Sequence, residues 1–256
     1  MGAIGALVVL AVVVRLYVGL HTPLDGDEAA EGYAAVGILH GHLVLVESDG
    51  RYLGALDSYV LAPFVSVLGP TLLAIRVCFA IVGGVYVAVV FALGRVAWRS
   101  DSQALLVAAI AGFFPLFALL YGVKARTYGL MLPLEGLMLL AIIGLAWPVS
   151  PPGRPRWAVT GVLAGLAVWH HPLLGLVVLA GAVALVMRAP VLGRRSVLRG
   201  ARFAAAGFVM GWSPWLAYNL RHSFGSLRHL HGPAAAYGTS MKVAIDVTQG
   251  HLIPWV

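Results

Sequence analysis

The sequence has 256 residues, of which 61% are hydrophobic and 11% are charged. Soluble domains carry about 45–50% apolar and about 25% charged residues, so this composition excludes one water-soluble core and indicates helices that cross a bilayer. The lone cysteine, Cys78, excludes a disulfide within the chain. The net charge of +7 comes from arginines that flank apolar runs, which favours membrane topology over nucleic-acid binding.

Apolar runs in series predict an all-α, polytopic membrane protein of about seven spans. We expect the first run to be a retained helix and not a cleaved signal peptide, because no Lys or Arg precedes its apolar core. Gly161 with Gly165, and Gly207 with Gly211, have the spacing that lets two helices approach closely in lipid. The runs cover residues 2–20, 71–98, 104–122, 128–147, 157–169, 173–187 and 203–220.

The distribution of Lys and Arg predicts how these helices are oriented. Alternate connections hold nine basic residues against six in the others, and the richer set is expected in the cytoplasm. The long loop 21–62 then lies on the extracytoplasmic side of the cell membrane, as does the tail 221–256. We treat residues 1–220 as one transmembrane module, and the tail as its extracytoplasmic end or the start of a truncated region. The nine are Arg95, Arg99, Arg154, Arg156, Arg188, Arg194, Arg195, Arg199 and Arg202.

Seven of the ten acidic residues lie in the 21–62 loop, and four of them fall within seven positions. Asp25 followed three positions later by Glu28 is a capping-box pattern, which predicts a short helix over 27–40 along the membrane surface. On such a helix Asp27 and Glu31 share one face.

The acidic cluster has two interpretations that spacing does not separate. The carboxylates either cap and solvate an interfacial helix, or they form a general base or cation site at the membrane face. A second amphipathic helix is expected within 51–69, where Asp57 stands between Tyr52 and Tyr59. It would pack on the membrane and close a pocket over the first helix.

Four short pieces follow one another in the first 145 or so residues. They are Asp27-Glu28, the segment Tyr52-x-Gly54-x-Leu56-Asp57, Arg76 in the second apolar run, and Ala125-Arg126-x-Tyr128. Taken in this order, the pieces resemble the GT-C membrane glycosyltransferases. The likeness is greatest to the branch that includes protein O-mannosyltransferases and the bacterial lipid A aminoarabinose transferase.

The resemblance implies an enzyme that takes a sugar from a polyprenyl-phosphate donor on the extracytoplasmic face. The acceptor would be a protein, a lipid or a glycan. Asp27 would deprotonate the acceptor hydroxyl, and Glu28 would orient the acceptor or assist. Arg76 would contact the donor phosphate, because Arg suits phosphate oxygens.

Further substrate contacts are predicted on the same face. Lys124 and Arg126, in the short turn after the third run, either bind a lipid phosphate or anchor the turn at the head groups. Tyr52 and Asp57 are assigned to the substrate site. Tyr128 is either an interfacial aromatic residue or a wall of the donor site.

The sequence indicates no definite cofactor and assigns no metal ligand, but four histidines expected near Asp27 leave a divalent cation open. They are His40, His42, His170 and His171. Two other functions also stay open: a transporter or flippase of lipid-linked or anionic solutes, and a non-catalytic, truncated relative. A transporter would place its ionisable residues near the bilayer midplane, whereas most acids here lie in the 21–62 loop.

Overall fold

The computed structural model describes residues 2–47, 53–114, 119, 122, 124, 125 and 127–226. These residues form nine α-helices and no β-strand, apart from an isolated bridge between Val46 and Gly54, so the all-α prediction is confirmed for them. The helices are α1 (Gly2–Leu20), α2 (Gly26–Leu39), α3 (Leu56–Leu68), α4 (Leu72–Trp98), α5 (Asp101–Phe113), α6 (Thr127–Ala146), α7 (Arg154–His170), α8 (Leu174–Leu192) and α9 (Arg194–Arg221).

Four helices in the described part of the chain are long and apolar enough to cross a membrane: α1, α4, α8 and the Tyr128–Ala146 stretch of α6. Two other predicted runs form shorter helices, with 13 residues in α5 and 17 in α7. The last run lies in α9, whose first turns carry several arginines. Four of the seven predicted runs therefore form helices that are long and apolar enough to cross a membrane.

Helix α4 lies at the centre of the first half of the bundle, where α1, α3, α5 and α6 pack against it. Phe79, Cys78 and Leu61 are fully buried in the core that joins α4 to the two short helices α2 and α3. A second core joins α6 to α7 and α8 around Met138. Both cores lie beside the loop between α1 and α4, which they hold against the bundle.

The 21–62 loop lies across one end of the bundle. The indole Nε1 of Trp169, at the end of α7, donates a hydrogen bond of 2.8 Å to the carbonyl of Leu45. The amide of Gly54 donates one of 3.2 Å to the carbonyl of His170. These contacts bring the first loop and the α7–α8 turn together.

Small residues allow α7 and α9 to pack backbone against backbone. A Cβ atom added at Gly161 or Gly165 would collide with a carbonyl oxygen of α9, and one added at Gly207 or Gly211 would collide with a carbonyl oxygen of α7. The predicted close approach at these four glycines is confirmed.

Gly161→Ala is expected to destabilise the protein, because the added methyl meets the backbone of Ala204 and the two helices must separate. Overpacking of this kind costs about 1–3 kcal/mol, so the melting temperature (Tm) in detergent should fall by several degrees. Gly144→Ala is the matched control, since a Cβ at that helical glycine meets no atom within 4 Å. Equal Tm values for the two variants would contradict the packing.

Candidate functional site

A buried ion pair joins α2 to α4 at the end of the bundle where the 21–62 loop lies. The side chains of Glu28 and Arg76 have no exposed surface, and the guanidinium contacts both carboxylate oxygens. The second contact joins Arg76 Nη2 to Glu28 Oε2 at 3.2 Å. The same Nη2 also donates to the carbonyls of Thr22 at 3.1 Å and Pro23 at 3.4 Å. Arg76 therefore fixes both the start of α2 and the turn that precedes it.

The remaining lone pairs of Glu28 accept backbone hydrogen bonds. Its Oε1 receives the amide of Ala125 at 3.1 Å, and its Oε2 receives the amide of Asp25 at 3.2 Å. The Asp25 carboxylate in turn accepts the Glu28 amide at 3.1 Å, which completes the predicted capping box. Four donors thus surround one buried carboxylate, and one of them comes from the turn that precedes α6.

A second ion pair links the same turn to α2. The ammonium of Lys124 lies 2.8 Å from Asp25 Oδ2, and both side chains are about a quarter exposed, at 23% and 24%. An ammonium group has three donors, so this contact leaves Lys124 able to bind a further anion. Lys124 is therefore the predicted phosphate-binding residue that the structure places within reach of solvent.

Asp27 occupies the exposed side of the first turn of α2. Successive helical residues are rotated by about 100°, so a single position separates the exposed carboxylate of Asp27 from the buried one of Glu28. The first turn of a helix also favours negative charge through the unpaired amides of its end. Asp27 is thus held rigidly at the surface, close in sequence to the Lys124-bound Asp25.

Glu31 lies one turn further along α2 and points toward α3. It is 7% exposed, and its Oε2 accepts a hydrogen bond from the hydroxyl of Ser58. Burial raises the pKa of the Glu31 carboxyl to about 7, aided by the charges of Asp57 and Asp27 and opposed by the Ser58 hydrogen bond. Glu31 therefore changes its charge near neutral pH, directly beneath the first turn of α2.

Asp57 and His170 face each other in the interior between α3 and the end of α7. Both side chains are fully buried, and Asp57 Oδ2 lies 3.7 Å from His170 Nδ1. Neither carboxyl oxygen of Asp57 has a hydrogen bond to the described residues. Burial raises the pKa of Asp57 to about 7.

The structure buries two predicted site residues in one ion pair. Glu28 was expected to orient an acceptor and Arg76 to contact a phosphate, but each is fully buried and engaged with the other. The pair positions α2, and the acceptor role of Glu28 and the phosphate contact of Arg76 stay predictions. Asp57 is likewise enclosed, and its predicted contact with substrate has no exposed surface to act through.

The other predicted residues are distributed as follows. Tyr128 begins the apolar stretch of α6 and is 46% exposed. Tyr52 and Arg126 lie outside the described residues. Among the described residues, no group of three His, Cys, Asp or Glu side chains is arranged to hold a metal ion, so the histidines and Asp27 do not converge there.

Sequence reasoning missed Ser58, gave Glu31 no role of its own in the site, and considered His170 only as a ligand of a divalent cation. Glu31 carried a signal, since it lies three positions after Glu28 on a predicted helix and both side chains are buried. Ser58 and His170 carried none, because they meet Glu31 and Asp57 through tertiary contacts between distant segments.

Comparison of the chain with family models, with curated proteins and with solved structures gives no match.

The buried ion pair predicts a large energetic coupling between Glu28 and Arg76, which are 48 residues apart in the sequence. Glu28→Gln and Arg76→Met should each lower the free energy of unfolding by about 3–5 kcal/mol, because each leaves the other charge buried and uncompensated. The double variant should lose much less than the sum. Thermal unfolding in detergent provides the measurement. Asp25→Asn with Lys124→Met is the control cycle, whose partly exposed pair should show weaker coupling.

The raised pKa of Asp57 predicts that the protein becomes less stable as the pH rises. Its pKa in the folded protein lies above its ordinary value near 4, so the folded state binds the proton more tightly than the unfolded chain does. The contribution of Asp57 to the free energy of unfolding is complete below about pH 4 and is lost as the pH approaches about 7. Asp57→Asn keeps a neutral group in place, so its Tm should fall several degrees less than that of the wild type between pH 5 and pH 8.

Two features sharpen this test. The pKa of Glu31 is raised into the same range, so a smaller decline of the Tm with rising pH should persist in Asp57→Asn. Asp101→Asn, whose side chain is 69% exposed, should behave like the wild type. Identical pH profiles for wild type and Asp57→Asn would show that the carboxyl is not held neutral by burial.

Proposed function

We propose that this protein is a GT-C-type membrane glycosyltransferase that moves a sugar from a polyprenyl-phosphate donor to an acceptor on the extracytoplasmic face. In this proposal all seven apolar runs cross the bilayer, and α2 and α3 lie at the outer surface. The positive-inside distribution of arginines supports that orientation. The proposal draws on the resemblance and on the geometry of the site.

The observation that carries the proposal is the convergence of three segments at one end of the bundle. The first turn of α2, the start of α4 and the turn before α6 are joined by the Glu28–Arg76 pair and the Asp25–Lys124 bridge. These contacts leave the Asp27 carboxylate exposed and the Lys124 ammonium partly exposed. A base and a cation at one membrane edge are what transfer from a lipid phosphate needs.

The proposed reaction is a single displacement. Asp27 accepts the proton of the acceptor hydroxyl while the hydroxyl oxygen attacks the anomeric carbon of the donor sugar. The bond between that carbon and the phosphate oxygen breaks, and the electron pair leaves with the polyprenyl phosphate. Lys124 offsets the charge that develops on the phosphate. Glu28 acts as a positioning residue that holds α2 in place through Arg76.

Asp27→Asn should reduce transfer of radiolabelled sugar from polyprenyl-phosphate donors by about 10²-fold or more, the usual contribution of a general base. Because Asp27 is exposed, the variant should keep the Tm of the wild type. The assay compares membranes that hold equal amounts of each protein. Asp101→Asn, at the other end of the bundle, is the matched control and should transfer normally.

The outcomes separate the proposal from its alternatives. Transfer that persists in Asp27→Asn would keep the enzyme class and overturn the choice of base. A folded wild-type protein that binds a polyprenyl-phosphate sugar without transferring it would favour a transporter or flippase. Failure of every donor both to bind and to react would favour a non-catalytic relative.

A further inference from the structure

A cavity of about 1010 Å³ lies at the opposite end of the bundle, between the end of α4, the end of α6 and the start of α7. Its position follows from α4, whose first turns carry Arg76 and whose last turn carries Arg95. The 19 residue steps from Arg76 to Arg95 span about 28 Å at 1.5 Å per step, close to the roughly 30 Å hydrocarbon thickness of a bilayer. The cavity is therefore one membrane thickness away from the candidate site.

The walls of the cavity are mainly apolar and open to the surroundings. Val96, Trp147 and Val159 contribute to them, and each is about half exposed, at 49%, 54% and 57%. Gly144 also lines the cavity, and nothing lies within 4 Å of where its Cβ would be. An open cleft of this size with apolar walls offers acyl chains a surface to pack against.

Three arginines stand among these apolar walls: Arg95, Arg99 and Arg156. Arg95 pairs with Asp101, and Arg99 and Arg156 form no ion pair with the described residues. Between residues 58 and 245 the sequence has only two acids, Asp101 and Glu135, so counter-charge from the protein is scarce at this end. The cleft thus combines an apolar interior with uncompensated positive charge.

Arg99 occupies an unusual backbone conformation. It ends α4 with a φ of 55°, the left-handed position that glycine usually fills at a helix end. A non-glycine residue costs free energy in this conformation, and such costs concentrate at functional positions. An arginine side chain therefore stands at the edge of the cavity, at a helix end where glycine is usual.

From these features we propose that the cavity binds an anionic glycerophospholipid, with its acyl chains along the α4–α6–α7 cleft and its phosphate between Arg99 and Arg156. Basic pockets between transmembrane helices on the cytoplasmic side bind anionic head groups through the same combination of charge and apolar surface. The proposal depends on the membrane location of the protein and not on sugar transfer.

The test compares lipids that share acyl chains and differ in charge. Purified protein in detergent is titrated with palmitoyl-oleoyl phosphatidylglycerol or phosphatidylcholine, and bound lipid is counted by native mass spectrometry beside the Tm. We expect phosphatidylglycerol to bind about tenfold more tightly and to raise the Tm by several degrees. Inorganic phosphate should leave the Tm unchanged, because it cannot use the apolar walls.

Three variants locate the site. Arg99→Gln/Arg156→Gln removes charge at the cavity and should abolish the preference for phosphatidylglycerol. Gly144→Leu keeps every charge, places a side chain in the cleft from a Cβ position with no atom within 4 Å, and should weaken the binding of both lipids. Arg195→Gln/Arg199→Gln removes the same charge from exposed positions of α9 and should bind like the wild type. Lipid-free Tm values show that each variant is folded.

Several results would overturn the proposal. Equal affinity for the two lipids, or equal stabilisation by inorganic phosphate, would remove the lipid specificity. If Arg195→Gln/Arg199→Gln loses the preference for phosphatidylglycerol as fully as Arg99→Gln/Arg156→Gln does, the lipid is attracted to the basic surface as a whole and not to the cavity. Unchanged binding in Gly144→Leu would place the acyl chains elsewhere. None of these measurements uses sugar transfer, so they test lipid binding independently of the proposed activity.

Discussion

Withdrawing a carboxylate and a guanidinium from water costs several kcal/mol for each ion, and their mutual attraction offsets this only when the other hydrogen-bonding positions are filled. Glu28 and Arg76 meet that condition through the amides of Ala125 and Asp25 and the carbonyls of the turn before α2. Even Gly19 contributes, because a Cβ there would lie 2.7 Å from Arg76 Cδ. The pair determines where α2 sits, and every exposed group of the candidate site depends on that placement.

This placement gives two neighbouring residues different environments. Glu28 is buried and fixes the position of α2, whereas Asp27, one position earlier, is exposed because of the rotation of the helix. A buried carboxylate with four donors is fixed in space but has no oxygen to offer a substrate. An exposed carboxylate on a rigid helix has both a defined position and access to reactants, which is the arrangement that general-base chemistry requires. In the proposed reaction, these adjacent acids would therefore act differently: Glu28 positions α2 and Asp27 accepts a proton.

Sequence patterns succeeded where the signal was local. The capping box and the helix that follows Asp25 were predicted within one residue, and the paired glycines correctly indicated close helix packing. Spacing gave no information on partners that are distant in sequence, such as Arg76 for Glu28 or His170 for Asp57. The family resemblance implied phosphate and substrate roles for residues that are buried in the folded protein. The number of spans was also uncertain from composition, because α5 and α7 are short and α9 mixes arginines with apolar residues.

The two ends of the bundle handle charge in different ways, and this difference bears on what each end does. At the end with the acidic loop, Asp25 and Glu28 pair with Lys124 and Arg76, so these four charges are balanced within the protein and are held in fixed geometry. At the other end, basic residues far outnumber the acids that could meet them. Balanced charge in fixed positions suits a site that must orient reacting groups. Unbalanced charge beside apolar walls suits a surface whose counter-ions come from the membrane itself.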